Sequence, residues 1–286
     1  MKFFIRATLG IVISLGLFIL LLCCNFLQLF TLVLLPFSRE KFRKANREMA
    51  DFWWGLASFC LENIQGIHIN FSGDAVPQKE NALLVINHQS MADIPILFGL
   101  GRRALRLGDM KWIGKDILKY TPGLGWGMLF LDSIFVKRQW HRDQKNINRT
   151  FQKFFKENIP IWLTTFPEGT RFSAQKLLSS KLFSKKHGLP QNSYVLTPRT
   201  KGFVASVQGL RGHITAVYDI TIAFPGRIPS LFELVTGKVD NVYVHVRRFE
   251  ITSLPMSDAE LSQWLHRIFL EKDQMLSHFH AHGQFN

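Results

Sequence analysis

Ala82-Leu83-Leu84-Val85-Ile86-Asn87-His88-Gln89-Ser90-Met91-Ala92-Asp93 opens with five consecutive apolar residues and closes on polar ones. A short apolar run with no alternation is how a strand reads when both of its faces are covered, as in a parallel sheet. Working outward, Ile67, Ile69 and Phe71 alternate with His68 and Asn70, as in a half-exposed strand. Comparable runs occur at Ile134–Val136, Ile161–Phe166, Tyr194–Thr197, Ile214–Ala223 and Val242–Val246. Helical candidates lie between several of them, over roughly 91–100, 141–157 and 199–210. About seven strands interleaved with helices predict an α/β fold: a single mixed sheet flanked by helices.

The 286 residues suffice for one large α/β domain, and 47% apolar with 20% charged residues excludes a disordered chain. A net charge of +14 favours partners that carry phosphate. Phe is abundant (26) and Tyr scarce (4), a balance suited to burial in core or lipid. Cys23, Cys24 and Cys60 form no disulfide framework. From Leu9 to Leu35 no residue is charged, a stretch longer than the ~20 residues needed to cross a bilayer and longer than a signal-peptide core. Arg39, Lys41, Arg43, Lys44 and Arg47 follow it, so the positive-inside rule keeps the downstream chain cytoplasmic. Asn25 and Gln28 interrupt the stretch, which leaves open either one span or two short helices dipping into one leaflet.

The chain therefore divides into a membrane anchor (1–37), an amphipathic helix (38–65) and a globular domain (66–286). Ser38 is a plausible N-cap, and Phe42, Ala45, Met49, Phe52, Leu56 and Phe59 form one helical stripe. Trp53 and Trp54 suit either the lipid–water boundary or packing on the core. Residues 173–193, rich in Lys and Ser, read as a loop. Ser257-Asp258-Ala259-Glu260 has capping-box form and opens a last helix, with His278, His280 and His282 in a solvated tail.

Two segments carry chemistry. His88 and Asp93 are five apart, which on an uninterrupted helix turns them about 140° away from each other. With His88 at a strand end and Asp93 in the next helix's first turn they can meet, leaving one imidazole nitrogen free as a base. Phe166-Pro167-Glu168-Gly169-Thr170-Arg171 also ends a strand, and its Pro and Gly force a turn that projects Glu168 and Arg171 past the sheet edge. Arg171 can fork onto a phosphate. The basic, Phe-bearing stretch Lys137–Lys156 suits anionic lipid; with the apolar segment beside it, nucleic acid is not expected as a partner.

His-x-x-x-x-Asp followed about 75 residues later by Phe-Pro-Glu-Gly-Thr-Arg resembles the 1-acylglycerol-3-phosphate O-acyltransferase family of lysophospholipid acyltransferases. Lys115, Leu118, Pro122, Gly125 and Trp126, then Ile134-Phe135-Val136 and Arg138, resemble that family's second block, and Tyr194–Arg199 its fourth. The wording Pro198-Arg199-Thr200-Lys201-Gly202-Phe203 resembles the lysocardiolipin-type branch. Asp132-Ser133 departs from the pattern, because the family often has glycine there. The resemblance implies a membrane-bound O-acyltransferase of phospholipid biosynthesis, set on the cytoplasmic side of a bacterial inner membrane. It would use acyl-CoA or acyl carrier protein as donor, a lysophospholipid as acceptor, and neither resident cofactor nor metal. It makes His88 the base and Asp93 its orienting partner, and assigns Glu168, Gly169, Thr170, Arg171 and Arg138 to the acceptor phosphate and Lys115 to the donor or oxyanion. An idle lipid-binding relative would not need both His88 and Asp93.

Overall fold

A computed structural model of the chain describes residues 2–137 and 139–285. Its centre is one seven-stranded sheet in the order β1-β7-β6-β2-β5-β3-β4. The strands are β1 (His68–Gly73), β2 (Ala82–Ile86), β3 (Met110–Lys115), β4 (Ile134–Val136), β5 (Trp162–Thr165), β6 (Ala216–Ala223) and β7 (Asn241–Glu250). Neighbours run parallel except β6 and β7, so β7 and β1 point against the other five. The sheet is thus mixed and flanked by helices, as the periodicity predicts.

β2 explains why the sequence reads so clearly. All five of its side chains are buried. Ala82, Leu84 and Ile86 enter one core, with Trp54, Ile96, Leu100 and Trp112, while Leu83 and Val85 enter the other, with Phe151, Phe154, Val207 and Leu265. The first core is covered by α2 (Arg39–Phe59) and α3 (Asp93–Arg103), and the second by α5 (Trp140–Lys156), α7 (Thr200–Leu210) and α9 (Asp258–His282).

The count of seven strands conceals one exchange. Tyr194–Thr197 bends at Tyr194 and Val195 and pairs with no strand, and β3 takes its place in the sheet. Carboxylates hold the 193–196 backbone instead of a ladder, as described below. β3 carries Lys111, and a lysine argues against a buried strand; its ammonium donates to the Leu131 carbonyl at 3.0 Å, which satisfies it inside the core. The expected loop at 173–193 contains a helix, α6 (Ala174–Lys186), capped by the Ser173 hydroxyl; lysines and serines on an exposed helix do not prevent it. The last helix runs through His282 to a left-handed Gly283 cap, so the three histidines lie on ordered helix and not in a frayed tail.

The N-terminal apolar stretch is one helix, α1 (Lys2–Thr31), unbroken at Asn25 and Gln28 and followed by a turn of 3-10 helix, so the pair of short dipping helices is not found. Asn25 and Gln28 are buried and hydrogen-bonded to each other at 3.0 Å. The segment Phe3–Leu34 is long and apolar enough to cross a membrane, with only 11% of its most apolar window buried. Yet α1 is fastened to the body along its length. Arg6 donates to the Gln65 carbonyl and pairs with Asp240 at 2.6 Å, Trp53 donates to the Leu17 carbonyl at 2.8 Å, and Asn46 donates to the Thr31 hydroxyl at 2.9 Å. α2 is wedged between α1 and α3. Its buried line is therefore Asn46, Ala50, Trp54 and Ser58, one face away from the expected stripe, and Phe52 and Phe59 are exposed. Trp54 stacks on Phe98 at 5.4 Å inside the core, which places it away from a lipid boundary.

Candidate active site

β2, β5, β3 and β4 are mutually parallel, so the segments leaving their carboxyl ends gather along one edge of the sheet. Sheets of this kind place ligands there. From β2 the chain enters Asn87-His88, and the turn before α3 brings Asp93 back against the imidazole: Nδ1 of His88 lies 2.9 Å from Oδ2 of Asp93. The same oxygen accepts the backbone N–H groups of Gln89 at 2.8 Å and Ser90 at 3.0 Å. Asp93 is wholly buried; burial pushes its carboxyl up, and His88 with the two amides pulls the other way. An acceptor so placed fixes the proton on Nδ1 and leaves Nε2, which has no partner among the described residues, as the basic nitrogen. The ring stacks on Phe166 at 4.1 Å, and Phe166 in turn faces Trp112 at 6.4 Å.

The turn after β5 meets this histidine directly. The Phe172 amide donates to the His88 carbonyl at 2.7 Å, which brings the Arg171–Phe172 backbone against the His88 segment. Arg171 and Thr170 are exposed and half-buried, and the Lys176 ammonium bonds the Thr170 hydroxyl at 2.8 Å and the Arg171 carbonyl at 2.9 Å. Gly169 adopts φ +68°, a conformation that favours glycine, and the Arg199 side chain lies close over its Cα. Lys115 is exposed at the end of β3, on the same edge. Arg138, the remaining expected phosphate ligand, lies outside the described residues.

Glu168 corrects the sequence reading. It does not project past the edge but is 3% exposed, with Oε1 accepting the His88 amide at 2.7 Å and Oε2 the Leu196 amide at 2.8 Å. A carboxyl group turned inward onto two amides has no reach toward a phosphate. Burial pushes its carboxyl up to about 8, against the pull of these two amides. Glu168 therefore ties three segments together: the turn that bears it, His88 and the 193–197 stretch.

That stretch is held by residues the sequence did not single out. Asp273 of α9 accepts the amides of Ser193 at 2.9 Å, Tyr194 at 2.6 Å and Val195 at 3.1 Å. The adjacent Lys272, fully buried, pairs with Asp219 of β6 at 2.8 Å and donates to the Ile220 carbonyl at 2.6 Å. Arg199, exposed above Gly169, donates its amide to the Pro167 carbonyl at 2.8 Å. It lay in view within the fourth block, whereas Asp273 sits about 80 residues from its partners and leaves no local signal. Asp132, where glycine was expected, takes φ +57°; Arg43 at 3.2 Å and Lys153 at 2.6 Å hold its carboxylate there. Asp tolerates this left-handed conformation better than most residues.

Residues 68–224 match the family model described as Acyltransferase, and residues 233–286 the one described as Acyltransferase C-terminus. The chain belongs to the acyltransferase family. It is similar, at 35% identity over 94% of its length and 71% of the relative's, to the probable 1-acyl-sn-glycerol-3-phosphate acyltransferase 5 of Arabidopsis thaliana. To the human 1-acyl-sn-glycerol-3-phosphate acyltransferase gamma it is 34% identical, over 92% and 72%. Its fold is similar to the crystal structure of the 1-acyl-sn-glycerophosphate acyltransferase of Thermotoga maritima, with a TM-score of 0.57 at 18% identity, covering 96% of both chains. In this acyltransferase the first matched region holds the His88–Asp93 pair and the 166–171 turn. The second supplies α9, whose Asp273 holds the 193–195 backbone beside that turn and whose Lys272 pairs with Asp219 of β6.

Proposed function

We propose that this acyltransferase moves a fatty acyl group from an acyl thioester, acyl-CoA or acyl carrier protein, to the free hydroxyl of lysophosphatidic acid, giving phosphatidic acid. The observation that carries the reading is the 2.9 Å His88–Asp93 hydrogen bond at the carboxyl end of β2, with the second imidazole nitrogen left without a partner among the described residues. Asp93 holds the tautomer in which Nε2 is basic. As the acceptor oxygen attacks the thioester carbonyl carbon, its proton passes to Nε2. The tetrahedral intermediate then collapses by breaking the C–S bond, and the imidazolium returns the proton to the departing thiolate. A thiolate leaves readily, so no acyl-enzyme is required.

Arg171 and Arg138, with the Gly169–Thr170 turn, are assigned to the acceptor phosphate, and Lys115 to the donor or the developing oxyanion. Arg199 and Lys176 stand beside them and add positive charge to the same rim. Glu168 is reassigned from ligand to brace. The relatives' names, which specify 1-acyl-sn-glycerol-3-phosphate, support the choice of acceptor. The exposed apolar flank of α1 supports membrane attachment, and the basic run from Arg39 to Arg47 supports the cytoplasmic side of what we take to be a bacterial inner membrane. A helix about 45 Å long and fastened to the body at both ends lies along one leaflet more easily than it crosses.

Purified protein given a panel of lysophospholipids and a labelled acyl thioester, with products resolved by mass, tests this. Label in phosphatidic acid, lost in His88→Ala while the variant stays folded, is the expected result. Label confined to another acceptor would overturn the substrate, and full activity of the variant would overturn the base.

A further inference from the structure

Between β3 and β4 the chain makes a compact insertion: a short 3-10 helix (Asp116–Tyr120) and then α4 (Leu124–Phe130). Its outer surface is apolar. Ile117 is 67% exposed, Tyr120 66%, Leu129 48% and Trp126 44%. These side chains are not presented by a loose loop. A Cβ on Gly125 would overlap the Leu118 carbonyl oxygen, so the two short helices are in backbone contact, and Leu118 and Met128 pack inward over Gly114. The insertion also abuts α1: Gly123 faces Phe18 and Leu21, and Gly127 faces Asn25. The exposed side chains therefore continue the apolar flank of α1, where Leu15, Phe18, Ile19 and Phe26 are likewise uncovered. An apolar surface of this extent, rimmed by Lys115 and Lys119, matches a bilayer interface, with aromatic rings and lysines at headgroup depth.

We infer that residues 117–129 are a second lipid-inserting element, which enters the same leaflet as α1 and sets the carboxyl edge of the sheet against the membrane surface. The inference rests on the membrane-bound reading above and adds where the rim of the site meets lipid. The insertion begins directly after Lys115, on the edge that carries His88 and Arg171. An acceptor can thus present its headgroup to that edge while its acyl chain stays in the leaflet.

The test uses the full chain with vesicles of phosphatidylethanolamine and phosphatidylglycerol whose acyl chains are brominated at mid-depth. Tryptophan fluorescence of the wild type is expected to fall on binding, and the quenched share to shrink in Trp126→Phe. The double variant Ile117→Asp/Leu129→Asp is expected to lose about tenfold in kcat/KM on vesicle-borne lysophosphatidic acid. With a short-chain acceptor that is monomeric in water it should keep wild-type activity, which also shows that it is folded. Equal quenching of wild type and Trp126→Phe while both float with vesicles would overturn the inference, as would equal losses on the two acceptors. A changed sedimentation of the double variant with unaltered quenching would assign the patch to a second copy and overturn it too. Wild type that stays off vesicles would sink the membrane reading with it, whereas wild type inactive on both acceptors would sink the acyl-transfer reading alone.

Discussion

Glu168→Gln isolates one buried proton. With its carboxyl pushed up to about 8 from an ordinary value of 4.5, Glu168 is neutral in the folded protein and charged in the unfolded chain throughout that window. The sign follows: stability is complete below 4.5 and is lost as pH rises toward 8, because the unfolded chain gives up its proton first. Between pH 5 and pH 8 the loss amounts to roughly 3.5 kcal/mol. For 286 residues the unfolding entropy near Tm is about 0.6 kcal/mol/K, so the loss is about 6 °C of Tm. Glutamine cannot ionise and keeps the shape, although its amide nitrogen can accept neither the His88 nor the Leu196 amide, so the variant starts about 1–3 kcal/mol lower. The assay is intrinsic-fluorescence melting of both proteins in one detergent at pH 5 and pH 8. Histidines and surface carboxylates titrate alike in both and cancel. The wild type should lose about 6 °C more than the variant across this range. Parallel losses would refute the claim that Glu168 is held neutral by burial.

Asp93→Asn leaves His88 in place but removes the negative charge and can turn an amide N–H toward Nδ1, which favours the wrong tautomer, so kcat should fall by about 10²–10⁴ with little change in KM; a KM effect alone would contradict the base assignment. Arg171→Ala should raise KM for the lysophospholipid on the order of tenfold to a hundredfold, measured under saturating donor, and an unchanged KM would remove Arg171 from the phosphate site. Asp273→Ala leaves the amides of residues 193–195 without their carboxylate, a cost of about 3 kcal/mol or more in chemical denaturation. Because the same stretch bonds Glu168, activity should fall with it, and a stable, fully active Asp273→Ala would show that the brace is dispensable.

The parts of the fold legible in the sequence were those whose signal is local. β2 could be read because each of its residues is buried, and Ser38 and Ser257 because a cap and its helix lie within four positions. His88 and Asp93 could be paired because the turn that joins them is short. What escaped depends on partners far away. Lys111 disguised β3, since nothing nearby announces that the Leu131 carbonyl will satisfy its ammonium. Val195 looked like a strand residue because it is apolar and buried, but its amide goes to a carboxylate 78 positions on. Glu168 was misplaced for the same reason. A turn sequence tells that a side chain stands at a corner, and the tertiary packing decides whether the corner faces solvent or core.

α9 supports the carboxyl edge of the sheet through Lys272 and Asp273, far along the chain from the segments they hold. During synthesis the histidine-bearing strand emerges from the ribosome some 180 residues before these two side chains. The 193–197 backbone then lacks its carboxylate clamp, and Asp219 sits without its buried cation. The carboxyl edge of the sheet thus gains its buried support from side chains that lie some 50 to 80 positions further along the chain than the groups they hold.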